Sequence, residues 1–419
     1  MTFSDDAHFT LSNIPFGVAA KGAEHATPQI VTRLREHVYF IPELIDQGLL
    51  ELPDSISHAL KQPDLNDFAG LGRPSHREVR NRLQSLLSSV EPDGKVAACR
   101  SHKDEVRMLM PIRVGDFSDF SLSRNHVLNA GLAVFGVESL PPGFLHFPVG
   151  YTGRTSSIVI SGTPVRRPLG QFKSPDGVVF GPSKAMDYEL EVACVVGKPS
   201  EMGKPVLIDD AMEHVFGFVL LNDWSARDIQ GLEMNPLGPF NGKSTATTIS
   251  PWIVTVDALE PFKASITDRE IAEAPYLKSA SKQNHYAVHL RVDLVEDSGA
   301  TSVLCNSQLE WMYWTFKDMI AHQTINGCAI RSGDLLATGT VSGRAAGTLG
   351  CLLEITKGGK ETVKLSSGNV RRYLEDGDSV RLTGWAGELG SESCVGFGES
   401  FGRLEPALNW EAYGASKIK

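Results

Sequence analysis

The sequence predicts a mostly β protein of mixed α+β class, and three observations carry that expectation. The 419-residue chain contains 40 Gly and 23 Pro with 42% hydrophobic residues, a usage tilted toward turns and strands. Short β-branched and aromatic runs recur along it, several bounded by Gly or Asp-Gly. Only two longer stretches have the 3.6-residue periodicity of an amphipathic helix.

Taken in order, residues Gln29 to Ile41 alternate and are β-branched, which predicts strand, and short helical pieces follow at Pro42 to Leu50 and Asp54 to Gln62. Ser75 and Glu78 have capping-box spacing. Val79, Leu83, Leu86, Leu87 and Val90 then form one apolar helical stripe. The polar stretch Glu91 to Glu105, with Pro92, Asp93 and Gly94, reads as a linker. A chain of this length suits two or three units at roughly 100 to 200 residues each. The expected division is residues 1–110 and 111–419. Beyond it the predicted strands are Ser156 to Ser161, Tyr188 to Val196, Val215 to Leu221, Ala287 to Leu294, Leu335 to Thr340, Cys351 to Thr356 and Ser379 to Thr383. One helix, Ser307 to His322, interrupts them, with Leu309, Met312, Phe316, Met319 and Ile320 on one side.

Composition narrows the function. A formal charge of -10 argues against nucleic acid or an acidic membrane surface as partner, because both need a basic face. A small-molecule substrate fits better. The six Cys are far apart, lack C-x-x-C spacing and read as buried thiols. The start, MTFSDDAHF, has acids where a secretion signal needs a basic stretch, and no run of 18 apolar residues occurs, so a cytoplasmic protein is expected.

Three familiar patterns fail on context. Gly398 to Gly402 matches G-x-S-x-G, but no His follows Ser400 to complete a hydrolase triad in the usual order. Gly242 to Ser244 reads GKS, yet Gly238 stands one position too close for a phosphate loop. Gly396-Phe397-Gly398 has its next Gly one position late for a dinucleotide fingerprint.

A set of acids survives. In Tyr188-Glu189-Leu190-Glu191-Val192 the period of two puts both carboxylates on one strand face, although a solvated face would look the same. The apolar run from Val215 ends at Asn222-Asp223. Ser225 and Asp228 have capping-box spacing for a helix on which Arg227 and Gln230 project together. Arg227 could equally be a surface ion-pair partner. Asp119 and His126 lie seven residues apart in a helical-looking stretch, which would place them about 10 Å apart on one face. A structural histidine remains the competing reading. Glu354 interrupts the apolar run Cys351-Leu352-Leu353-Glu354-Ile355. It either faces outward on an edge strand or holds a His in its useful tautomer. If Asp119, Glu189, Glu191 and Asp223 converge, one divalent cation together with Arg227 and Lys243 would balance their charge. An all-oxygen donor set suits calcium or magnesium.

The segments GDFSDFSLSRNH, FPVGYTGRTSSIVISGTPVRRPLGQ, MDYELE, NDWSARDIQ, PLGPFNGKS, TTISPW and LATGTVSG resemble the fumarylacetoacetate hydrolase family, from NIPFGV at Asn13 onward and most densely between residues 111 and 356. The resemblance implies a small SH3-like N-terminal domain, a larger C-terminal domain of mixed β-sandwich roll type, and a homodimer. By position in the motifs it implies that Asp119, Glu189, Glu191 and Asp223 bind Ca2+ or Mg2+, with Lys243 and Thr247 in the metal-binding loop. His126, oriented by Glu354, is implied as general base. Arg227, Gln230 and Lys243 are implied as oxyanion donors, and Tyr151 and Thr340 as substrate contacts. Ser121, Phe135, Met234 and Thr152 stand where the family pattern has Tyr, Arg, Tyr and His, so the substrate grip is altered.

The implied activity is metal-dependent hydrolysis of a carbon-carbon bond in a β-dicarbonyl acid. The default substrate is 4-fumarylacetoacetate, giving fumarate and acetoacetate as in the last step of tyrosine and phenylalanine catabolism. The alternatives are another dicarbonyl, decarboxylated, isomerised or dehydrated through the same enolate in a specialised biosynthetic route, and a non-catalytic binding protein.

Overall fold

A computed structural model describes residues 4–22, 27–88, 94–266 and 268–417. It is mostly β with helices interspersed, in a small N-terminal part and a larger C-terminal part. Among the described residues no helix is long and apolar enough to cross a membrane.

The N-terminal part is a five-stranded antiparallel sheet in the spatial order Arg100–His102, His37–Phe40, Gln29–Leu34, Phe16–Lys21, Val106–Leu109. The expected Gln29 to Ile41 strand is two strands, because Arg35 takes a positive φ of 54° and turns the chain between them. The expected linker is largely ordered. Gly94–Ala98 is helical, and Arg100–His102 and Val106–Leu109 form the two edges of this sheet. Glu91, Pro92 and Asp93, with Val90 of the predicted stripe, lie outside the described residues. The stripe itself is helical at Arg73–Leu87 and buries Val79, Leu83 and Leu87. Its expected capping box does not form: the helix starts two residues before Ser75, and its N-cap is Gly72, whose φ of 83° suits glycine.

The larger part is built on a nine-stranded mixed sheet. Its main path runs Val149–Thr152, Phe117–Ser121, Leu335–Ala337, Leu190–Val196, Val215–Ala226, Ala246–Ile249, Ile158–Ile160. A five-stranded sheet centred on His289–Val295, Ser379–Ala386 and Val395–Glu405 packs on one face, where Leu190, Val192, Cys194, Phe218 and Leu220 join Leu290, Val292, Val380 and Leu382 in one core. The other face carries Phe117, Ala193, Val195, Val219, Leu221 and Ile249. These pack with Phe16, Val18, Leu83 and other residues of the N-terminal part.

Three further expectations are corrected. Cys351 to Thr356 is not a strand: Leu352–Ile355 is a short helix, its run of apolar residues having hidden the period. Ser307 to His322 is not one helix. The strand Thr301–Gln308 runs into it, Leu309–Trp311 is a 3-10 turn, and the helix occupies Phe316–Thr324 behind a capping box of Thr315 and Asp318. The strand expected to end near Leu221 continues to Ala226, so Ser225 caps nothing and its hydroxyl instead donates to the Asp223 carbonyl. Of the six thiols five are buried as expected, while Cys328 is exposed.

Candidate active site

The alternation of strands explains how distant acids meet. On the face bearing Phe117, Ala193, Val195, Val219, Leu221 and Ile249, the next same-face positions along each strand are Asp119, Glu191 with Glu189 beyond it, Asp223 and Thr247. Register holds them in place: Asp223 lies opposite Thr247, and the Asp223 amide donates to the Glu189 carbonyl. Oxygens of Asp119, Glu189, Glu191 and Asp223 all lie within 4.8 Å of one another, and all four residues are buried. The solvated-face alternative for Glu189 and Glu191 is therefore excluded, since their exposures are 5% and 0%.

Two cations partly neutralise this ring. The Lys243 ammonium donates to Glu189 and Asp223. Arg227 Nη1 is 2.7 Å from Glu189 Oε1, and Nε is 2.9 Å from Asp187 Oδ2. Burial would raise the Glu189 carboxyl, but Lys243 and then Arg227 outweigh it and hold the group well below the usual carboxylate range. Glu191 goes the other way: burial, then the charges of Asp119, Glu189 and Asp223, push it well above that range. Burial likewise raises Asp119 and Asp223. Both Glu191 oxygens and Asp119 Oδ1 find no hydrogen-bond partner among the described residues. Orphaned buried carboxylate oxygens facing one point are what a hard divalent ion fits, and this donor set contains neither nitrogen nor sulfur.

The imidazole approaches from a different element. Asp119 is on the strand Phe117–Ser121 and His126 on the helix Arg124–Phe135, so the expected single helix carrying both is corrected. The helix begins at once because the Ser123 hydroxyl accepts from the His126 amide. His126 Nδ1 lies 3.1 Å from Glu354 Oε2, a charge contact short of a well-aligned hydrogen bond, and the ring's field reaches Glu189. Glu354 is buried on the short helix, not outward on an edge strand. Asn129 donates to its Oε1 at 2.8 Å and Ser342 to its Oε2 at 2.7 Å. Burial would raise this carboxyl, but His126 and these donors bring it below its ordinary value.

The remaining expected residues distribute unevenly. Arg227 Nη1 donates to Gln230 Oε1 at 3.2 Å, and the surface ion-pair alternative is excluded by the 7% exposure of the Arg227 side chain. Tyr151 pairs opposite Asp119, and its hydroxyl lies 3.4 Å from Asp223 Oδ2. Thr340 is buried with its hydroxyl unpartnered among the described residues. Ser121 is half-buried at the end of the Asp119 strand, and Thr152 is exposed beside Tyr151. Phe135, at 75% exposure, ends the His126 helix, and Met234, at 44%, follows the Arg227 helix. Asp187, Asn129 and Ser342 were not foreseen. Asp187 shares the parity of Glu189, and Asn129 is one helical turn after His126, so both had a spacing signal.

Two family models match the chain: Fumarylacetoacetase N-terminal over residues 12–111, and Fumarylacetoacetate (FAA) hydrolase C-terminal over residues 117–405. Curated relatives named fumarylacetoacetase include one from Aspergillus fumigatus, 42% identical with 96% of this chain and 97% of that one covered. Another, from Arabidopsis thaliana, is 42% identical (96% and 97% covered), and one from Homo sapiens is 39% identical (97% and 98%). A solved fumarylacetoacetate hydrolase from Exiguobacterium antarcticum shares the fold, with a TM-score of 0.53 at 18% identity over 94% of this chain and 99% of that one. With the acidic ring, the imidazole pair and these matches in hand, the chain belongs to the fumarylacetoacetate hydrolase family.

Proposed function

We propose that the protein hydrolyses 4-fumarylacetoacetate to fumarate and acetoacetate with one calcium or magnesium ion. The observation that carries this reading is a buried ring of four carboxylates with open oxygens, beside a histidine backed by its own buried acid. The names of relatives about 40% identical over nearly the whole chain support the substrate.

Asp119, Glu189, Glu191 and Asp223 would hold the ion, which when bound would supply Lewis-acid polarisation of the dicarbonyl and favour the enolate leaving group. The Lys243 ammonium has no lone pair and balances charge instead of ligating. Thr247, 3.5 Å from Asp223 Oδ1, helps orient that carboxylate. Glu354 at Nδ1 leaves Nε2 of His126 free to take a proton from water. The hydroxide adds to the carbonyl carbon, and the new oxyanion is met by Arg227, Gln230 and Lys243. Arg227 Nη2 is buried and has no partner among the described residues, so one donor stands ready. The carbon-carbon bond then breaks, and its electron pair stays on the acetoacetate fragment, which takes the proton from His126. The other fragment leaves as a carboxylic acid and loses its proton to solvent. Tyr151 and Thr340 orient the substrate. The reaction fits the end of tyrosine and phenylalanine catabolism, carried out by a homodimer. The free thiols suit a reducing, cytoplasmic setting.

A second reading rests on Phe135 and Met234, exposed apolar side chains that offer a carboxylate no bidentate clamp. On it, Ser121, Phe135 and Met234 border a pocket for a less acidic or bulkier dicarbonyl. Incubation of the purified protein with fumarylacetoacetate and magnesium or calcium, followed by loss of dicarbonyl absorbance, separates the two. Ion-dependent loss is expected. Silence, with turnover of another diketo acid, favours the second reading; silence with every dicarbonyl favours a binding protein.

A further inference from the structure

We infer that Asp187 is a positioning residue, one carboxylate that holds the general-base pair and the oxyanion arginine in a single frame. The inference rests on the proposed hydrolysis.

Asp187 is fully buried and belongs to a two-residue strand, Met186–Asp187, paired with the end of the Val215–Ala226 strand. Its Oδ1 accepts from the Tyr188 amide at 2.9 Å and the Leu352 amide at 2.7 Å. Its Oδ2 accepts from the Leu353 amide at 2.9 Å and Arg227 Nε at 2.9 Å. All the acceptor positions of the carboxylate are thereby used, each by an N–H group.

Two of those donors open the helix Leu352–Ile355, whose own N-cap residue, Cys351, supplies no side-chain cap. A helix of one turn has no stability of its own, because nucleation costs more than a single turn returns. Its placement depends on the cap that Asp187 supplies from far earlier in the chain, and it carries Glu354, the acid behind His126. The fourth donor fixes the guanidinium of Arg227. With Nε held, Nη1 is aimed at Glu189 and Nη2 is left for the oxyanion. Asp187 touches neither substrate nor the ion site. It sets the relative position of two groups that do.

The chemistry of the side chain makes this testable. In Asp187→Asn one oxygen becomes an NH2 group, and either amide orientation faces it toward N–H donors: Tyr188 and Leu352 in one, Leu353 and Arg227 in the other. No flip relieves the clash of donors. The experiment is a kinetic cycle of the full-length protein: wild type, Asp187→Asn, Glu354→Gln and the double variant, each with ion and fumarylacetoacetate. Asp187→Asn should lower kcat roughly 100-fold, the scale of a misplacement of about 1 Å. The double variant should fall below Glu354→Gln by clearly less than the roughly 100-fold that Asp187→Asn costs alone, because neutralising the acid leaves only the Arg227 half of the frame to matter. Penalties that multiply, or an unchanged kcat in Asp187→Asn, would overturn the inference while leaving the hydrolysis intact. Absence of turnover in the wild type strikes at the proposed function instead. Should Asp187→Asn not fold, Asp187→Glu, which keeps all acceptor positions but displaces them by a methylene, is read in the same cycle. Failure of both to fold would assign Asp187 to the core and not to the site.

Discussion

Glu191→Gln should make the ion-free protein more stable, the opposite of the usual result for a buried polar residue. Glu191 is fully buried, neither oxygen has a partner among the described residues, and its neighbours Asp119, Glu189 and Asp223 are acids. Keeping this carboxyl protonated at pH 7 in the folded state costs about 3–4 kcal/mol relative to an unfolded value near 4.3, and an unsatisfied amide about 1–3 kcal/mol, so the exchange should gain about 2 kcal/mol. For a chain of this size, with roughly 2.1 cal/mol/K of unfolding entropy per residue, that is about 2 °C in Tm. The pH dependence follows from the sign of the shift. An acid whose folded pKa is raised binds more protons folded than unfolded, so its contribution becomes less favourable as pH rises above its unfolded value. The variant's advantage is therefore absent below about pH 4.3 and grows toward neutrality. Saturating ion reverses the order: at about 1,000 times Kd the wild type gains about 4 kcal/mol, and the variant, one ligand short, gains little. Thermal melts of both proteins in chelator and in magnesium or calcium read this out. A variant less stable than wild type in chelator, or one equally stabilised by the ion, would refute the reasoning.

Other outcomes follow from the same geometry. His126→Ala should lower kcat by about 100- to 10,000-fold while calorimetric titration still finds the ion bound, since the proposed function gives the ring the proton and the carboxylates the ion. His8, His76 and His285 are each held at about 4 by burial, below the ordinary 6.5. Their stabilisation is complete above pH 6.5 and is lost as pH falls toward 4, by up to about 3 kcal/mol per ring. Urea unfolding across that window should show the loss, and His76→Gln, which keeps a donor for the Phe68 and Ala69 carbonyls, should remove about a third of it. Gly339 has a φ of 71°, and a Cβ there would lie 2.0 Å from the Phe120 carbonyl oxygen. Gly339→Ala should therefore push the Asp119 strand away from Thr340, lowering both Tm and kcat.

The acids were legible where a strand's period of two does the work. Glu189 and Glu191 fall on one face by spacing alone, and Arg227 with Gln230 by the helical turn. What spacing could not give was the partner strand: only register shows that Asp119, on a strand parallel to Leu335–Ala337, reaches the same ring. The run Cys351 to Ile355 was misread because unbroken apolar residues carry no period. Leu309, Met312, Phe316 and Met319 misled in the opposite way, since a strand end, a 3-10 turn and a helix together mimic one 3.6-residue stripe. Asp187 shares the parity of Glu189, but what it holds does not show in the sequence: the Leu352 and Leu353 amides lie more than a hundred residues later, and backbone donors leave no mark there.

In the proposed reaction His126 deprotonates a water molecule, and the substrate carbonyl receives the hydroxide. Turnover of fumarylacetoacetate in water labelled with oxygen-18, with ion present, tests this directly by mass spectrometry of the products. One labelled oxygen should enter the fumarate carboxylate for each carbon-carbon bond cleaved, and chelation should abolish both label and product. Product formed without label would contradict hydrolysis at this site.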